Sequence, residues 1–325
     1  MIKRLAFIAI FGAAALSGAT PALADGHISL VAYSTPREAY NAIIGAFQRS
    51  SPQGAGVTFD QSYGASGDQS RAVEAGLPAD VVAFSLEPDI TRLVKDKLVA
   101  PDWANNSHKG IVTDSVVVFV VRTGNPKHIQ TWSDLVKPGV EVITPNPFTS
   151  GGARWNAMAA YTAQLTMGRS PADAQAFLGT LFSHVTVQDS SARASMQTFV
   201  GGKGDVLLAY ENEAIQAKHT GAGVEYIVPD DTLLIENPVA PVMTSSNLKT
   251  AQAFIDFLYT DRAQVIFGTY GYRPVLASAA SIFDFPRVKH LSKISDLGGW
   301  GVVNTKFFDP QTGIMAKIES SVGSH

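Results

Sequence analysis

Short β-branched runs alternate along the chain with longer segments whose apolar residues recur at helical spacing. Runs over 28–32, 57–59, 80–83, 116–121, 140–143, 185–187, 205–209 and 225–228 predict strands, because their residue types suit a pleated, half-buried surface. The run over 116–121 is almost wholly apolar, as expected of a strand covered on both faces. Segments 37–48, 69–75, 154–165, 172–181, 193–199 and 212–218 predict helices. The βαβα order predicts mostly parallel sheets with helices on both faces. Residues 250–267 place Phe254, Phe257, Leu258, Val265 and Ile266 at helical spacing. Thr260-Asp261 divides that segment into two helices with Asp261 as N-cap, and Gly271-Tyr272-Arg273-Pro274 stops the second. Pro229-Asp230-Asp231 and the stretch from Asn237-Pro238 to Pro241 predict turns where the chain passes between domains.

One polar interruption stands out: Asn146-Pro147-Phe148-Thr149-Ser150-Gly151-Gly152-Ala153-Arg154-Trp155-Asn156. It sets a hydroxyl and two glycines just ahead of a helix. Glycine lets backbone approach a ligand closely. The first N–H groups of a helix have no partner within it, and the helix dipole makes that end positive. An anion can sit there. The same grammar recurs at Ser34-Thr35-Pro36-Arg37, Gly64-Ala65-Ser66-Gly67-Asp68 and Asp189-Ser190-Ser191-Ala192-Arg193. Four such sites predict helix starts converging on one small anion. Main-chain donors lose little entropy on binding and bond strongly to a charged acceptor. A wall made only of donors favours an anion without a proton, because a ligand O–H pointed at an N–H is left unpaired.

Composition narrows the classes. A length of 325 residues with 46% hydrophobic content allows two domains or one large divided one. Lys3 and Arg4, the apolar run 5–16 and Ala22-Leu23-Ala24 read as a secretory leader over residues 1–24, too short to span a bilayer comfortably. Removing it takes away two of 25 basic residues and none of 28 acidic ones, leaving 23 against 28, a formal charge of −5. No basic surplus points to nucleic acid or an anionic membrane. An acidic protein that binds an anion must therefore do so locally. With no cysteine there is no disulfide framework, thiol nucleophile or cysteine-lipid anchor, and a soluble periplasmic protein is expected.

The stretch from Asn146 to Asn156 resembles the signature of the prokaryotic sulfate-binding proteins, which serve an ABC importer for sulfate and thiosulfate. The resemblance extends through Gln61-Ser62-Tyr63-Gly64-Ala65-Ser66-Gly67, Gly124-Asn125-Pro126-Lys127, Lys137-Pro138-Gly139-Val140, the run 205–214 and Gly298-Gly299-Trp300. It implies a type II two-lobed periplasmic binding protein fold. One lobe would comprise 25–114 plus 238–325 and the other 115–237, with two crossings as hinge and the ligand in the cleft. It further implies oxyanion ligands at Ser34, Ser66, Ser150, Gly151, Gly152, Ala192 and Tyr210, the Ser150 hydroxyl included, and an inner-membrane permease as partner of a monomer. Departures from the family pattern are Tyr210 for tryptophan, Phe148 for lysine, Ser34 for aspartate and Asp68 for a frequent lysine. They imply a weaker sulfate site, or a larger anion such as thiosulfate or a small organosulfonate. Phosphate and molybdate remain alternatives.

Arg154 and Arg193 lie just inside two of the helix starts, where each either neutralises the anion from behind or makes a surface ion pair. Glu211 and Glu213 suit helix-start capping better than a catalytic pair. Gly64-Ala65-Ser66-Gly67 is not a hydrolase nucleophile elbow, since the second glycine directly follows the serine. The seven histidines show no metal-ligand spacing, and no cofactor is expected. An ester hydrolase is the competing class, without a visible nucleophile and base.

Overall fold

The computed structural model describes residues 26–323. The leader expected over 1–24 lies outside them. Strands β1 (His27–Tyr33), β2 (Thr58–Gly64), β3 (Val81–Ala83), β4 (Ile111–Arg122), β5 (Val142–Ile143), β6 (Val185–Val187), β7 (Val206–Tyr210), β8 (Val224–Ile227), β9 (Asp231–Pro241), β10 (Arg273–Pro274) and β11 (His290–Ser292) carry the sheet. Its main order is β2-β1-β3-β9-β4-β7-β5-β6. The architecture is the two-lobed α/β type.

Each half is parallel at its outer side: β1 between β2 and β3, and β5 between β6 and β7. The centre is antiparallel, in β3–β9, β9–β4 and β4–β7. This corrects the expectation of mostly parallel sheets. The two long strands in the middle run in opposite directions between the halves, so each must meet at least one neighbour antiparallel. β4 also explains its continuous apolar run. Val116, Val118 and Val120 enter a cluster on one face, while Val117, Phe119 and Val121 enter another. Alternate side chains point to opposite faces, and both are covered.

The turn expected from Asn237 to Pro241 is instead part of β9. This strand pairs with β4 through Leu234 to Pro238, then with β3 through Val239 to Pro241. Pro238 falls at a register shift, where its missing N–H leaves no gap in the ladder, and its carbonyl accepts from Phe84 N at 3.1 Å. The proline that reads as a turn in sequence thus marks a change of partner.

Helices Leu248–Leu258 and Asp261–Thr269 divide as expected, but Thr260 is the N-cap, accepting from Ala263 N, and Asp261 opens the helix. The helix Ile314–Val322 packs on Pro171–Ser183, and Gly299–Phe308 packs on Ile314–Val322 and also meets Glu87–Lys95. Trp155 meets Trp300 at 4.7 Å between ring centroids, and Tyr161 meets Phe307 at 4.8 Å. These contacts hold the C-terminal segment against the helices that follow β5. Its return accounts for β11 pairing with the Asp231 end of β9. Among the described residues, no helix is long and apolar enough to cross a membrane.

Candidate functional site

In an open α/β sheet, ligands bind beyond the carboxyl ends of the strands. Here β1 ends into Ser34, β2 into Ser66, β3 into Ser85 and β7 at Tyr210. Helices begin there at Arg37, Ser66, Gly151, Ala192 and Glu211. Ser34, Ser66, Ser150, Ala192 and Tyr210 are all buried, as are Gly151 and Gly152.

The contacts show how closely these starts meet. Gly67 N donates to Thr149 O at 3.0 Å, joining the Gly64–Asp68 and Asn146–Asn156 loops. A Cβ added to Gly152 would lie 2.9 Å from Tyr210 Cε2, 3.2 Å from Ala192 Cβ and 3.4 Å from Ser150 Oγ. One added to Gly151 would lie 2.3 Å from Ser85 Oγ. The tips of the Gly151 and Ala192 helices, Tyr210 and Ser85 therefore meet at one buried point. Ser150 is the N-cap of its helix yet makes no side-chain cap bond, so its hydroxyl is not committed to its own amides. Ser191 does cap, accepting from Ala194 N at 3.2 Å. Ser66 is the first helical residue rather than the cap, and its hydroxyl donates to Asp89 Oδ2 at 2.6 Å.

Both arginines are engaged with the protein. Arg193 Nε donates to Ser34 O at 2.9 Å, and its guanidinium bonds Thr35 O and both oxygens of Glu38. Although partial burial opposes it, the Arg193 hydrogen bond holds the Glu38 carboxyl below its usual range. Arg154 donates to Pro147 O at 2.9 Å and Asn304 Oδ1 at 2.7 Å, and lies over the Phe308 ring. Burial raises the Asp89 carboxyl, and the Arg154 charge opposes that rise. Asp68, an added negative charge in sequence, is paired with Arg71 at 2.5 Å. Phe148 packs against the core of the β4–β8 lobe.

Sequence reasoning missed Ser85. Its Oγ lies 2.5 Å from the Tyr210 hydroxyl, its N donates to Ser66 Oγ at 2.9 Å, and its carbonyl accepts from Trp155 Nε1 and Asn237 Nδ2, both at 2.9 Å. A serine just past the third parallel strand was the available signal, hidden because no glycine accompanies it. Burial also pushes the Tyr210 phenol well above its ordinary range, so it keeps its proton.

The family model for bacterial extracellular solute-binding proteins matches residues 28–273. The chain belongs to that family. It is a binding protein and not an enzyme, so the ester-hydrolase alternative falls. It is 40% identical over 305 residues to the sulfate-binding protein of Synechococcus elongatus, covering 91% of this chain and 87% of the relative. It is 36% identical over 324 residues to the thiosulfate-binding protein of Pseudomonas aeruginosa, covering 95% and 97%. Among solved structures, the sulfate-binding protein SubI of Mycobacterium tuberculosis H37Rv superposes with a TM-score of 0.85 at 48% identity, covering 87% of this chain and all of that one.

Proposed function

We propose that this protein captures sulfate in the cleft between its lobes and delivers it to an inner-membrane ABC permease. The carrying observation is the meeting of the Gly151 and Ala192 helix starts with Tyr210 at one buried point, across which Ser85 reaches from the other lobe. In this reading the backbone N–H groups of Ser34, Ser66, Gly151, Gly152 and Ala192 face the anion, with the hydroxyls of Ser150 and Tyr210. Arg193 and Arg154 act from behind: each fixes carbonyls of a motif loop, and Arg193 draws the lobes together through Glu38.

The lobes are assigned as 25–114 with the segment from 238 to the end of the Asp261–Thr269 helix, and 115–237 with the returning C-terminal helices. β4 and β9 serve as the hinge. Binding from both sides favours the closed arrangement, since only there are all donors used. The protein acts as a periplasmic monomer, released by cleavage after Ala24. Thiosulfate is the second reading, favoured by the curated thiosulfate-binding relative.

Calorimetry of the mature protein with sulfate, thiosulfate and molybdate tests this. Saturable, one-to-one sulfate binding is expected. Absence of heat with both sulfate and thiosulfate would overturn the reading. Mass spectrometry of periplasmic material should find Asp25 as the first residue.

A further inference from the structure

A cavity of about 500 Å³ opens beside the cleft, and neither Ser85 nor any of the seven oxyanion positions lines it. It runs between the helices Ala192–Val200 and Glu211–His219, where Met196, Val200 and Ala217 contribute to a chiefly apolar wall. Thr35, Glu38 and Tyr272 complete it from across the cleft, at the end where Arg193 bonds Glu38 and Thr35 bonds Tyr272. That volume suits a small organic molecule.

Glu38, Arg193 and Glu213 are the charged residues of its lining, so two carboxyls face one guanidinium. Arg193 is committed to both oxygens of Glu38 and to the carbonyls of Ser34 and Thr35. Glu213 is only 9% exposed, and its Oε2 has no hydrogen-bond partner in the protein. Burial raises that carboxyl to about 7, opposed by the Arg193 charge and a backbone hydrogen bond from Tyr210. A buried carboxylate with a free oxygen is costly until a cation reaches it.

We propose that this cavity binds an organic ammonium ion with a short apolar body, its N–H groups on the Glu213 carboxylate and its chain along Met196, Val200 and Ala217. An ammonium brings three donors and no acceptor, which matches an unpaired carboxylate oxygen. An anionic ligand would add charge of the wrong sign. A bare metal ion would leave the apolar wall unused, and no metal-ligand cluster occurs among the described residues. Because the walls come from both sides of the cleft, the ligand holds the same closed arrangement that sulfate capture requires. Sulfate and the ammonium therefore strengthen each other by the same factor. That coupling rests on the oxyanion reading above, whereas the site itself does not.

The test is calorimetry of the full mature protein at pH 8 with hexylammonium chloride, and with hexan-1-ol as its neutral counterpart. The ammonium should bind one-to-one, at least about tenfold more tightly than the alcohol. Glu213→Gln keeps the shape and loses the charge, and should weaken the ammonium about tenfold while leaving the alcohol unchanged. Saturating sodium sulfate, at matched ionic strength, should tighten ammonium binding about fivefold or more. Absence of ammonium binding, equal affinity for the alcohol, or an ammonium affinity untouched by Glu213→Gln would overturn the assignment. So would sulfate that binds without changing ammonium affinity. If Glu213→Gln fails to fold, the comparison of ammonium with alcohol on the wild type carries the test. If the protein ignores sulfate yet takes up hexylammonium, the oxyanion reading alone fails.

Discussion

Gly151 and Ser85 approach from opposite lobes so closely that a Cβ on the glycine would sit 2.3 Å from the serine Oγ and 2.5 Å from its Cβ. The sequence alone suggests that a side chain at Gly151 would invade the anion's space. The structure moves the collision to the facing lobe. Gly151→Ala should therefore hold the lobes apart even with ligand present, because unbonded heavy atoms do not share that distance. Sulfate affinity should fall by about 100-fold or more, as the donors of one lobe are lost together. Small-angle scattering with saturating sulfate should show the variant as extended as the ligand-free protein. A variant that compacts like wild type would refute this.

Gly152→Ala should act differently. Its new Cβ would meet Tyr210 Cε2 at 2.9 Å and Ala192 Cβ at 3.2 Å, all within one lobe. Closure should survive while the cradle is distorted. The expected result is about tenfold weaker sulfate binding in calorimetry, with normal compaction at saturation.

Arg193 ties its helix to Glu38, Ser34 and Thr35 on the other side of the cleft. The ion pair is partly solvated, with side chains 34% and 46% exposed, so its charge contribution is modest and screened by salt. Glu38→Gln should weaken sulfate binding by only about two- to fivefold, and less so at high salt. Arg193→Ala also removes the bonds to two carbonyls and should cost more, about tenfold or beyond. Titrations at low and high ionic strength separate the two contributions.

The outer strands, most helices and the motif loops were legible because each rests on local chemistry: β-branched runs, helical spacing, glycine before a helix. What was not legible depended on distant partners. β9 was hidden by Pro238, whose tolerance comes from a register shift with Ile111 on β4. The helices from Gly299 onward bury Trp300 and Phe307 against Trp155 and Tyr161, an association that no local pattern encodes. Within the site, seven expected positions fell on or beside helix tips, whereas Ser85 matters only because folding brings Gly151 and Tyr210 to it. The roles of Arg154 and Arg193 were left open for the same reason: their partners Asn304 and Glu38 lie far away in sequence.

Arg273 and Glu211 provide a stability test near the hinge. Glu211 opens the helix after β7, and its side chain is fully buried, held by Arg273 Nε at 2.6 Å and Nη2 at 3.0 Å. Burial raises the Glu211 carboxyl, and the arginine counters that rise. Arg273→Met would strand a buried carboxylate and should cost about 3 kcal/mol or more at neutral pH. Arg273→Met combined with Glu211→Gln should recover part of the loss. Urea denaturation of the single and double variants measures both; equal losses would show that the ion pair is not the cause.

Two buried carboxyls predict how stability varies with pH. Burial pushes Glu213 up from 4.5 to about 7, opposed by Arg193. Burial, then the Glu236 charge opposite it in the β4–β9 register, pushes Asp114 up from 3.8 to about 7. Between those limits the folded protein keeps protons that the unfolded chain has released. Rising pH therefore favours unfolding: the contribution is intact below about pH 4 and is lost progressively toward pH 7. Asp134 works in the opposite sense, its carboxyl held low by Lys137 and by backbone donors, but its window lies below that of an ordinary aspartate. Each raised group should cost on the order of 3 kcal/mol at pH 8 relative to pH 4. Thermal melts of ligand-free protein from pH 5 to 8 should show a falling midpoint in the wild type. Glu213→Gln and Asp114→Asn should each flatten that fall, raising the midpoint at pH 8 more than at pH 5. Curves that stay parallel to wild type would mean that neither carboxyl holds its proton through that range.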